Sequence, residues 1–312
     1  MIKRTLYFGN PSYLSLKNDQ LVLKLPEVEN NDTLPEAFKE SNVRTFPIED
    51  IGIVVLDHKQ ITVTQALMEK LLENNCAVIT CDSQRMPSGL FLPLESNTLQ
   101  QERFTEQINS SLPLRKQLWQ QTIIRKIENQ AAVLRKHTNA ETGNMTEWSK
   151  NVKSGDSENL EARAAAYYWS HLFPDIPGFT RKRDGEFPNN LLNYGYAIVR
   201  ATVARTLVAT GLLPTFGIHH HNRYNAFCLA DDIMEPYRPF VDEAVLDIIQ
   251  NFPNETELTK PIKAELLQIP VADILINGQR SPLMVAAATT SASLYKCFAG
   301  TSKKILYPSI LP

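Results

Sequence analysis

The sequence predicts an α+β fold: a small N-terminal β-sandwich-like domain at residues 1–95, then a larger all-helical catalytic domain at residues 96–312. Short apolar segments separated by polar turns occupy the first 95 residues, as in strands. From Gln100 onward, glycine is absent until Gly143, and the good helix formers Gln, Leu, Ile, Arg, Lys and Glu dominate. A chain of 312 residues is long enough for two such domains.

The composition is that of an ordinary globular protein, with 43% hydrophobic and 21% charged residues. No apolar run approaches the length of a membrane span, and the first residues lack the apolar segment of a signal peptide. The four cysteines are irregularly spaced, which is typical of reduced, mostly buried thiols. These observations predict a cytoplasmic protein without a membrane partner.

The first domain is predicted from alternating or continuous apolar segments. A helix is expected at 64–74, a surface loop at 26–42 and a turn at 87–89. Strands are expected at residues 2–8, 13–17, 21–25, 43–47, 51–56 and 77–80. Because this part carries no site chemistry of its own, its expected role is structural or dimer-forming.

The second domain is predicted to begin with a long amphipathic helix, with Trp119, Ile123, Ile127 and Leu134 on one face. A polar connector is expected at 139–156, and Ser157 is a candidate N-cap for the next helix. Further helices are predicted at 190–210, 240–249 and 283–297. The apolar tail after residue 302 fits docking on a partner as well as folding back on its own core.

Charge is segregated along the chain. Residues 100–230 carry sixteen Lys and Arg against eleven Asp and Glu, a net charge of +5, whereas residues 1–95 carry −4 and residues 231–312 carry −3. A basic region is expected for a phosphate-rich partner, although a solvated helical surface explains it equally. The Arg181-Lys182-Arg183 triplet is open to the same two interpretations, and Arg200 and Arg205 fit buried ion pairs or a phosphate-facing edge.

Three imidazoles, His219 to His221, lie just upstream of the carboxylates Asp231, Asp232 and Glu235. Imidazole nitrogen and carboxylate oxygen together suit a divalent ion in the Mg, Mn or Zn range. The alternatives are a core histidine with exposed neighbours, and acidic residues favoured by a helix N-terminus. Glu161 lies beside a run of small residues, Ala164–Ala166, where it is either a further metal ligand or a surface glutamate.

Phosphate loops, nucleophile elbows and paired Cys-x-x-Cys motifs are absent from the sequence.

Five ordered motifs resemble the CRISPR-associated endonuclease/integrase family, the larger subunit of the spacer-acquisition complex. The His-His-His-Asn run and the Glu-Pro pair before Tyr-Arg-Pro are similar to the form found in type II systems. The motifs are Glu161-Ala-Arg-Ala-Ala-Ala-Tyr-Tyr-Trp169, Asn193-Tyr-Gly-Tyr-Ala197, Gly211-Leu-Leu-Pro214, Gly217-Ile-His-His220 and Asp232-Ile-Met-Glu-Pro-Tyr-Arg-Pro239.

The resemblance implies that Glu161, His220 and Glu235 are the catalytic metal ligands, for Mg²⁺ or Mn²⁺. Most of the family has Asp where this chain has Glu235, whose side chain is one methylene longer. His219 and His221 are further candidate ligands or DNA contacts, and Asp232 is expected to support the ligands rather than bind the ion.

The implied function is a CRISPR adaptation integrase, which inserts the 3′-hydroxyl ends of a double-stranded prespacer into the CRISPR repeat by phosphodiester transesterification. The implied partners are double-stranded DNA, a second copy through the β-rich domain and a small second adaptation subunit. The RNA-guided effector nuclease is a further candidate partner. Two other functions stay open: a stand-alone metal-dependent DNA nuclease and a noncatalytic DNA-binding scaffold.

Overall fold

The structure is a computed structural model that describes residues 3–311. The chain separates into two compact units, Met1–Ser96 and Asn97–Pro312. The first is rich in strands and the second in helices, so the predicted α+β class is confirmed.

The first unit is built from two four-stranded sheets. Among its described residues the strands are β1 (Arg4–Phe8), β2 (Ser12–Lys17), β3 (Gln20–Lys24), β4 (Arg44–Pro47), β5 (Ile51–Leu56), β6 (Ile61–Val63), β7 (Ala77–Cys81) and β8 (Pro87–Phe91). One sheet has the order β1-β5-β7-β8, with only the β7–β8 pair antiparallel, and the other has the order β4-β3-β2-β6, with only β2–β6 parallel.

The core of the first unit takes buried side chains from both sheets, including Leu14 and Leu21 of one sheet and Val54 and Val78 of the other. Helix α3 (Gln65–Glu73) adds Leu67 and Leu71 to this core. α1 and α2 are the short helices Pro26–Glu29 and Glu36–Ser41.

Two local predictions in this unit were wrong. The segment 26–42 is not one loop but contains α1, which has a proline at its first helical position, and α2, which begins directly after Pro35. Pro87–Gly89 is not a turn but the start of β8, which pairs antiparallel with β7. β8 is an edge strand, where a proline disturbs the fewest ladder hydrogen bonds.

The second unit is organised around one long central helix, α5 (Leu112–His137), whose buried residues include Trp119, Ile123 and Ile127, as predicted. The other elements of this unit are α4 (Gln100–Ile108), α6 (Gly143–Asn151), α7 (Leu160–Leu172), α8 (Asn189–Ala209), α9 (Cys228–Met234), α10 (Arg238–Asn251), α11 (Lys260–Leu266), the hairpin strands β9 (Asp273–Ile276) and β10 (Gln279–Pro282), and α12 (Leu283–Phe298).

The hairpin of β9 and β10 is an addition to the predicted all-helical domain. The polar connector predicted at 139–156 contains α6 and a 3-10 turn, Ser154–Asp156. Ser157 is not the cap of α7, because that helix begins at Leu160 and its first amides donate to Asp156. Predicted α8 and α12 agree with the structure to within one residue at each end.

The tail packs on the second unit itself, so of the two sequence-based interpretations folding back is confirmed for its described residues. Ile305, Tyr307 and Ile310 are buried. The Tyr307 hydroxyl lies 2.8 Å from that of Thr122, and Ser309 exchanges backbone hydrogen bonds with Leu275 of β9.

Within residues 3–311, no helix has the length and apolar character needed to cross a membrane. All four cysteines are free thiols, as predicted; Cys76, Cys228 and Cys297 are buried, and Cys81 is partly exposed.

Candidate functional site

The first predicted ligand, Glu161, lies in the first turn of α7. The buried carboxylate of Asp156 accepts hydrogen bonds from the backbone amides of Leu160 and Glu161, each at 2.9 Å. These two bonds satisfy amides that have no partner within the helix. The side chain of Glu161 is one quarter exposed, so its carboxylate is held at a defined place while open to solvent.

The histidine run follows Gly217 in the loop between α8 and α9, and one carboxylate orders it. Asp232, fully buried on α9, accepts the backbone amide of His219 at 2.9 Å. Its Oδ1 lies 2.5 Å from Nδ1 of His220. With the Nδ1 proton donated to Asp232, the other ring nitrogen, Nε2, is left to accept a proton or bind an ion. The hydrogen bond that His220 donates to Asp232 raises the pKa of His220.

Gly217 is required here by close approach rather than by an unusual backbone angle. A Cβ atom at this position would lie 2.4 Å from the carbonyl oxygen of His220 and 2.7 Å from Oδ2 of Asp232. Any side chain would therefore separate the loop from the carboxylate that orders it.

Glu235, the third predicted ligand, is buried at the start of a 3-10 turn, Glu235–Tyr237, between α9 and α10. Arg238 Nε donates to Glu235 Oε1 at 2.8 Å. Burial alone would raise the pKa of Glu235, but the positive charges of Arg238 and Lys126 outweigh burial and lower the pKa to about 2. Glu235 is therefore a carboxylate at any physiological pH.

Lys126 of α5 joins two of the predicted ligands. Its ammonium Nζ lies 2.6 Å from Glu161 Oε1 and 2.6 Å from Glu235 Oε2. Only 11% of this side chain is exposed. Burial would lower the pKa of Lys126, but the charges of Glu235 and Glu161 raise it above the ordinary value, so the lysine is a cation.

Two of the three predicted ligands, Glu161 and Glu235, thus converge, but around an ammonium group. Among residues 3–311, no three His, Cys, Asp or Glu side chains surround one point in a way that would hold a metal ion. One carboxylate oxygen of Glu161 and one of Glu235 nevertheless contact the same cation, Lys126. The negative charges of these two carboxylates also raise the pKa of His220. Hard oxygens with one oriented imidazole fit Mg²⁺ or Mn²⁺ in chemical type.

The other two histidines lie differently from His220. The ring of His219 stacks on Trp119 of α5, with centroids 4.1 Å apart and planes 2° from parallel. Burial lowers the pKa of His219, which favours the neutral ring. His221 is exposed in the following loop. His219 is therefore held against an aromatic surface, whereas His221 faces solvent.

Asp231, next to the orienting Asp232, fixes the loop from the other side. It accepts from Arg200 Nε at 2.6 Å and from Asn225 Nδ2 at 2.7 Å. Arg200 therefore forms an ion pair, but its own side chain is 40% exposed rather than buried. The loop between these anchors exposes Arg223 and Tyr224.

A cavity of about 150 Å³ adjoins Glu235, and Lys126, Gln130, Trp169, Arg181, Tyr196 and Arg238 are among its lining residues. Asp242, also in its wall, is buried and accepts from the hydroxyls of Tyr168 at 2.9 Å and Tyr196 at 2.5 Å. Burial raises the pKa of Asp242 to about 6.

The three residues of the Arg181-Lys182-Arg183 triplet differ in their contacts and exposure. Arg181 donates to the side-chain oxygens of Asn189 at 2.9 Å and Asn193 at 2.6 Å, so it fixes its loop to α8. Lys182 and Arg183 are exposed. Only these two match the solvent-facing or DNA-facing cations that the triplet predicts.

Sequence reasoning missed Lys126, Asp156 and Arg238 as parts of this site. A signal for Lys126 was present: it lies three residues after Ile123 and seven after Trp119, hence on the buried face of α5. A lysine on an apolar face requires anionic partners. No sequence pattern marked Asp156, because Gly155 and Asn159, both at positive φ, bring its carboxylate to the start of α7.

Comparison with known proteins gives a consistent result. The family model described as CRISPR associated protein Cas1 matches residues 6–258. The CRISPR-associated endonuclease Cas1 of Neisseria meningitidis serogroup C (strain 8013) is 35% identical over an alignment that covers 100% of this chain and 98% of that relative.

Two solved structures share the fold. A casposase bound to integration product has a TM-score of 0.77 at 21% identity, covering 98% of this chain and 92% of the casposase. A CAS1 protein from Thermotoga maritima has a TM-score of 0.73 at 17% identity, covering 95% and 97% of the two chains.

Proposed function

Because the chain belongs to the Cas1 family of CRISPR-associated proteins, we propose that it is a CRISPR adaptation integrase, a metal-dependent enzyme that joins DNA ends. One observation carries the proposal at the level of the site: the carboxylates of Glu161 and Glu235 converge on one cation beside an imidazole, His220, that Asp232 orients. The Neisseria relative is named an endonuclease, and the casposase structure contains an integration product. Both names support a reaction that cuts or joins DNA strands.

Glu161, His220 and Glu235 are the residues that would hold Mg²⁺ or Mn²⁺. Such an ion, when bound, makes a hydroxyl group more acidic and stabilises negative charge on a phosphate. The chain's own groups prepare the site: Asp156 positions Glu161, Asp232 sets the tautomer of His220, and Arg238 keeps Glu235 deprotonated.

The proposed reaction is a transesterification. The 3′-hydroxyl oxygen of the prespacer attacks a phosphorus atom of the CRISPR repeat, and a new O–P bond forms. The P–O3′ bond of the repeat strand breaks, and its oxygen leaves as a new 3′-hydroxyl after taking up a proton, while the attacking hydroxyl loses one. One phosphodiester is made for each one broken, so the reaction needs no external energy source.

DNA binding is assigned to the basic region of the second unit, residues 100–230. Exposed cations there include Lys116, Lys150, Lys182 and Arg183, and Arg223 lies beside the exposed ring of Tyr224 close to the histidine run. Contacts from such residues to phosphates do not depend on DNA sequence, and they weaken as salt is added. The remaining proposed partners are a second copy of the chain, the small second adaptation subunit and the RNA-guided effector nuclease.

A plasmid integration assay with the purified second subunit, run with and without Mn²⁺, tests the function. We expect joined products only with the metal, and loss of joining in Glu161→Ala, His220→Ala and Glu235→Ala. Asp175→Asn, which alters an exposed carboxylate of the same unit, is the matched control. Unchanged joining in any one alanine variant would remove that residue from the ligand set.

The same assay separates the alternatives. Cutting without joining would support a stand-alone nuclease that uses water as the nucleophile. DNA binding that persists in EDTA, with no strand transfer under any metal, would support a noncatalytic scaffold.

A further inference from the structure

Lys126 occupies the position between Glu161 and Glu235 to which a divalent cation would be drawn. The Nζ of Lys126, which comes from α5, donates a hydrogen bond to Glu161 Oε1 and forms an ion pair with Glu235 Oε2. Without a counter-cation, two carboxylates at this depth would repel each other and lose solvation. The ammonium group therefore keeps the two oxygens together in the metal-free protein.

The same charge becomes unfavourable once a divalent ion is present. Lys126 and Arg238 already balance the charges of Glu161 and Glu235, and a further charge of +2 would stand directly beside the ammonium. Like charges at such a distance repel strongly where water is excluded. Metal entry therefore requires the ammonium of Lys126 to leave its place.

A second observation indicates where the ammonium goes. Gln130 lies one helical turn further along α5, at the i+4 position from Lys126, and is 3% exposed. Within the part of the chain that the structure describes, its buried Oε1 has no hydrogen-bond partner. A buried acceptor without a donor is costly, and a displaced ammonium would supply that donor. Lys126 and Gln130 line the same cavity of about 150 Å³, so both side chains border one space.

We infer that Lys126 is an exchangeable cation: it holds Glu161 and Glu235 in the metal-free protein and moves to Gln130 when Mg²⁺ or Mn²⁺ enters. Lys126 is thus a positioning residue that sets the metal affinity of the site, and Gln130 receives it. This inference rests on the metal-binding part of the proposed function, and it adds a competition that the ligand set alone does not contain.

Two substitutions have opposite expected effects. Lys126→Met removes the competitor, so we expect Mn²⁺ to bind about tenfold more tightly, while the metal-free protein becomes less stable to heat. Gln130→Met removes the receiving acceptor, so we expect about threefold weaker Mn²⁺ binding. In the double variant, Gln130→Met should no longer weaken Mn²⁺ binding, because there is no lysine ammonium for Gln130 to accept a hydrogen bond from.

The experiment is titration of the full-length protein without DNA, with free Mn²⁺ followed by electron paramagnetic resonance and thermal unfolding recorded with Mn²⁺ and with EDTA. A larger rise in melting temperature on Mn²⁺ addition in Lys126→Met than in the unsubstituted chain is the expected result. Gln130→Met tests the inference independently if Lys126→Met folds poorly.

Two results would overturn the exchange while leaving metal binding intact. The first is equal Mn²⁺ affinity in the unsubstituted chain and in Lys126→Met. The second is an equal loss of Mn²⁺ affinity when Gln130→Met is introduced into the unsubstituted chain and into Lys126→Met. No Mn²⁺ binding to either the unsubstituted chain or Lys126→Met would instead refute the metal part of the proposed function and the exchange with it. The two failures are therefore distinguishable.

Discussion

At the scale of single residues, the orientation of His220 depends on Asp232. We expect Asp232→Asn to weaken Mn²⁺ binding by about 10–100-fold, because the amide cannot hold the Nδ1 proton as a carboxylate does. Mn²⁺ titration of the folded variant measures the change, with Asp175→Asn as control. Unaltered affinity would mean that Asp232 only shapes the loop.

The raised pKa of Asp242 predicts a pH dependence of stability. Burial raises it from 3.8 to about 6, so between these values the folded protein keeps a proton that the unfolded chain has lost. The contribution of the Asp242 carboxyl to the free energy of unfolding is fully present below pH 3.8, and it is lost as the pH rises through about 6. The loss amounts to about 3 kcal/mol.

Urea unfolding of the unsubstituted chain and of Asp242→Asn across this range provides the measurement. The difference in unfolding free energy between the two should shift in favour of Asp242→Asn as the pH rises from about 4 to about 6. Asp175→Asn, at an exposed site, should show no such trend. A flat difference for Asp242→Asn would contradict the assignment.

The sequence was sufficient to propose Glu161, His220 and Glu235 as metal ligands, but not to identify the charged residues that hold two of them in place. His220 and Glu235 are close in sequence, and their residue types suggest their chemistry directly. Lys126 and Asp156 meet Glu161 only through the packing of α5 and a turn with positive φ angles. Such contacts depend on tertiary structure and leave little trace in local pattern.

At the scale of elements, the start of α7 determines where Glu161 stands. We expect Asp156→Ala to lower the free energy of unfolding by about 1–2 kcal/mol and to weaken Mn²⁺ binding, because two amides lose their acceptor. Ser157→Ala, at the residue that the sequence favours as the cap, should change stability by less than about 0.5 kcal/mol. Urea unfolding of both variants decides between them, and the reverse order would restore Ser157 as the cap.

Helices with a regular spacing of apolar residues could be predicted from the sequence, and helix boundaries that depend on local hydrogen bonds could not. α8 and α12 have long apolar patterns, and the predicted bounds hold to within one residue at each end. The break between α4 and α5 was not foreseen: Ser111 Oγ accepts from the Leu114 amide at 3.3 Å and starts a new helix within a helix-favouring composition. α6 was missed because its sequence is polar.

At the scale of the whole molecule, Asn129 connects the site to the tail. Its buried amide donates to the carbonyls of Pro236 at 2.8 Å and Pro308 at 3.1 Å, and its oxygen accepts from the Ile310 amide at 3.3 Å. We expect Asn129→Ala to cost about 2–4 kcal/mol of stability, since several buried groups lose partners together. Chemical unfolding tests this against Asn254→Ala, at an exposed position, and equal stability of the two would contradict it.

The β-rich unit is proposed to form the dimer. Phe38, Phe91 and Leu94 are exposed there, and β8 is an edge strand, features that favour association. Sedimentation of the full-length chain should give a dimer, whereas residues 97–312 alone should sediment as a monomer. A dimer of residues 97–312 would place the interface in the helical unit.

The stacking of Trp119 on His219 has an optical consequence. The indole also meets the ring of His220 edge-on, at 5.6 Å, so its excited state senses both imidazoles. The chain has three tryptophans, and replacing Trp148 and Trp169 with phenylalanine would leave Trp119 as the sole emitter. Its fluorescence then reports, without any added label, when the charge or position of the neighbouring imidazoles changes.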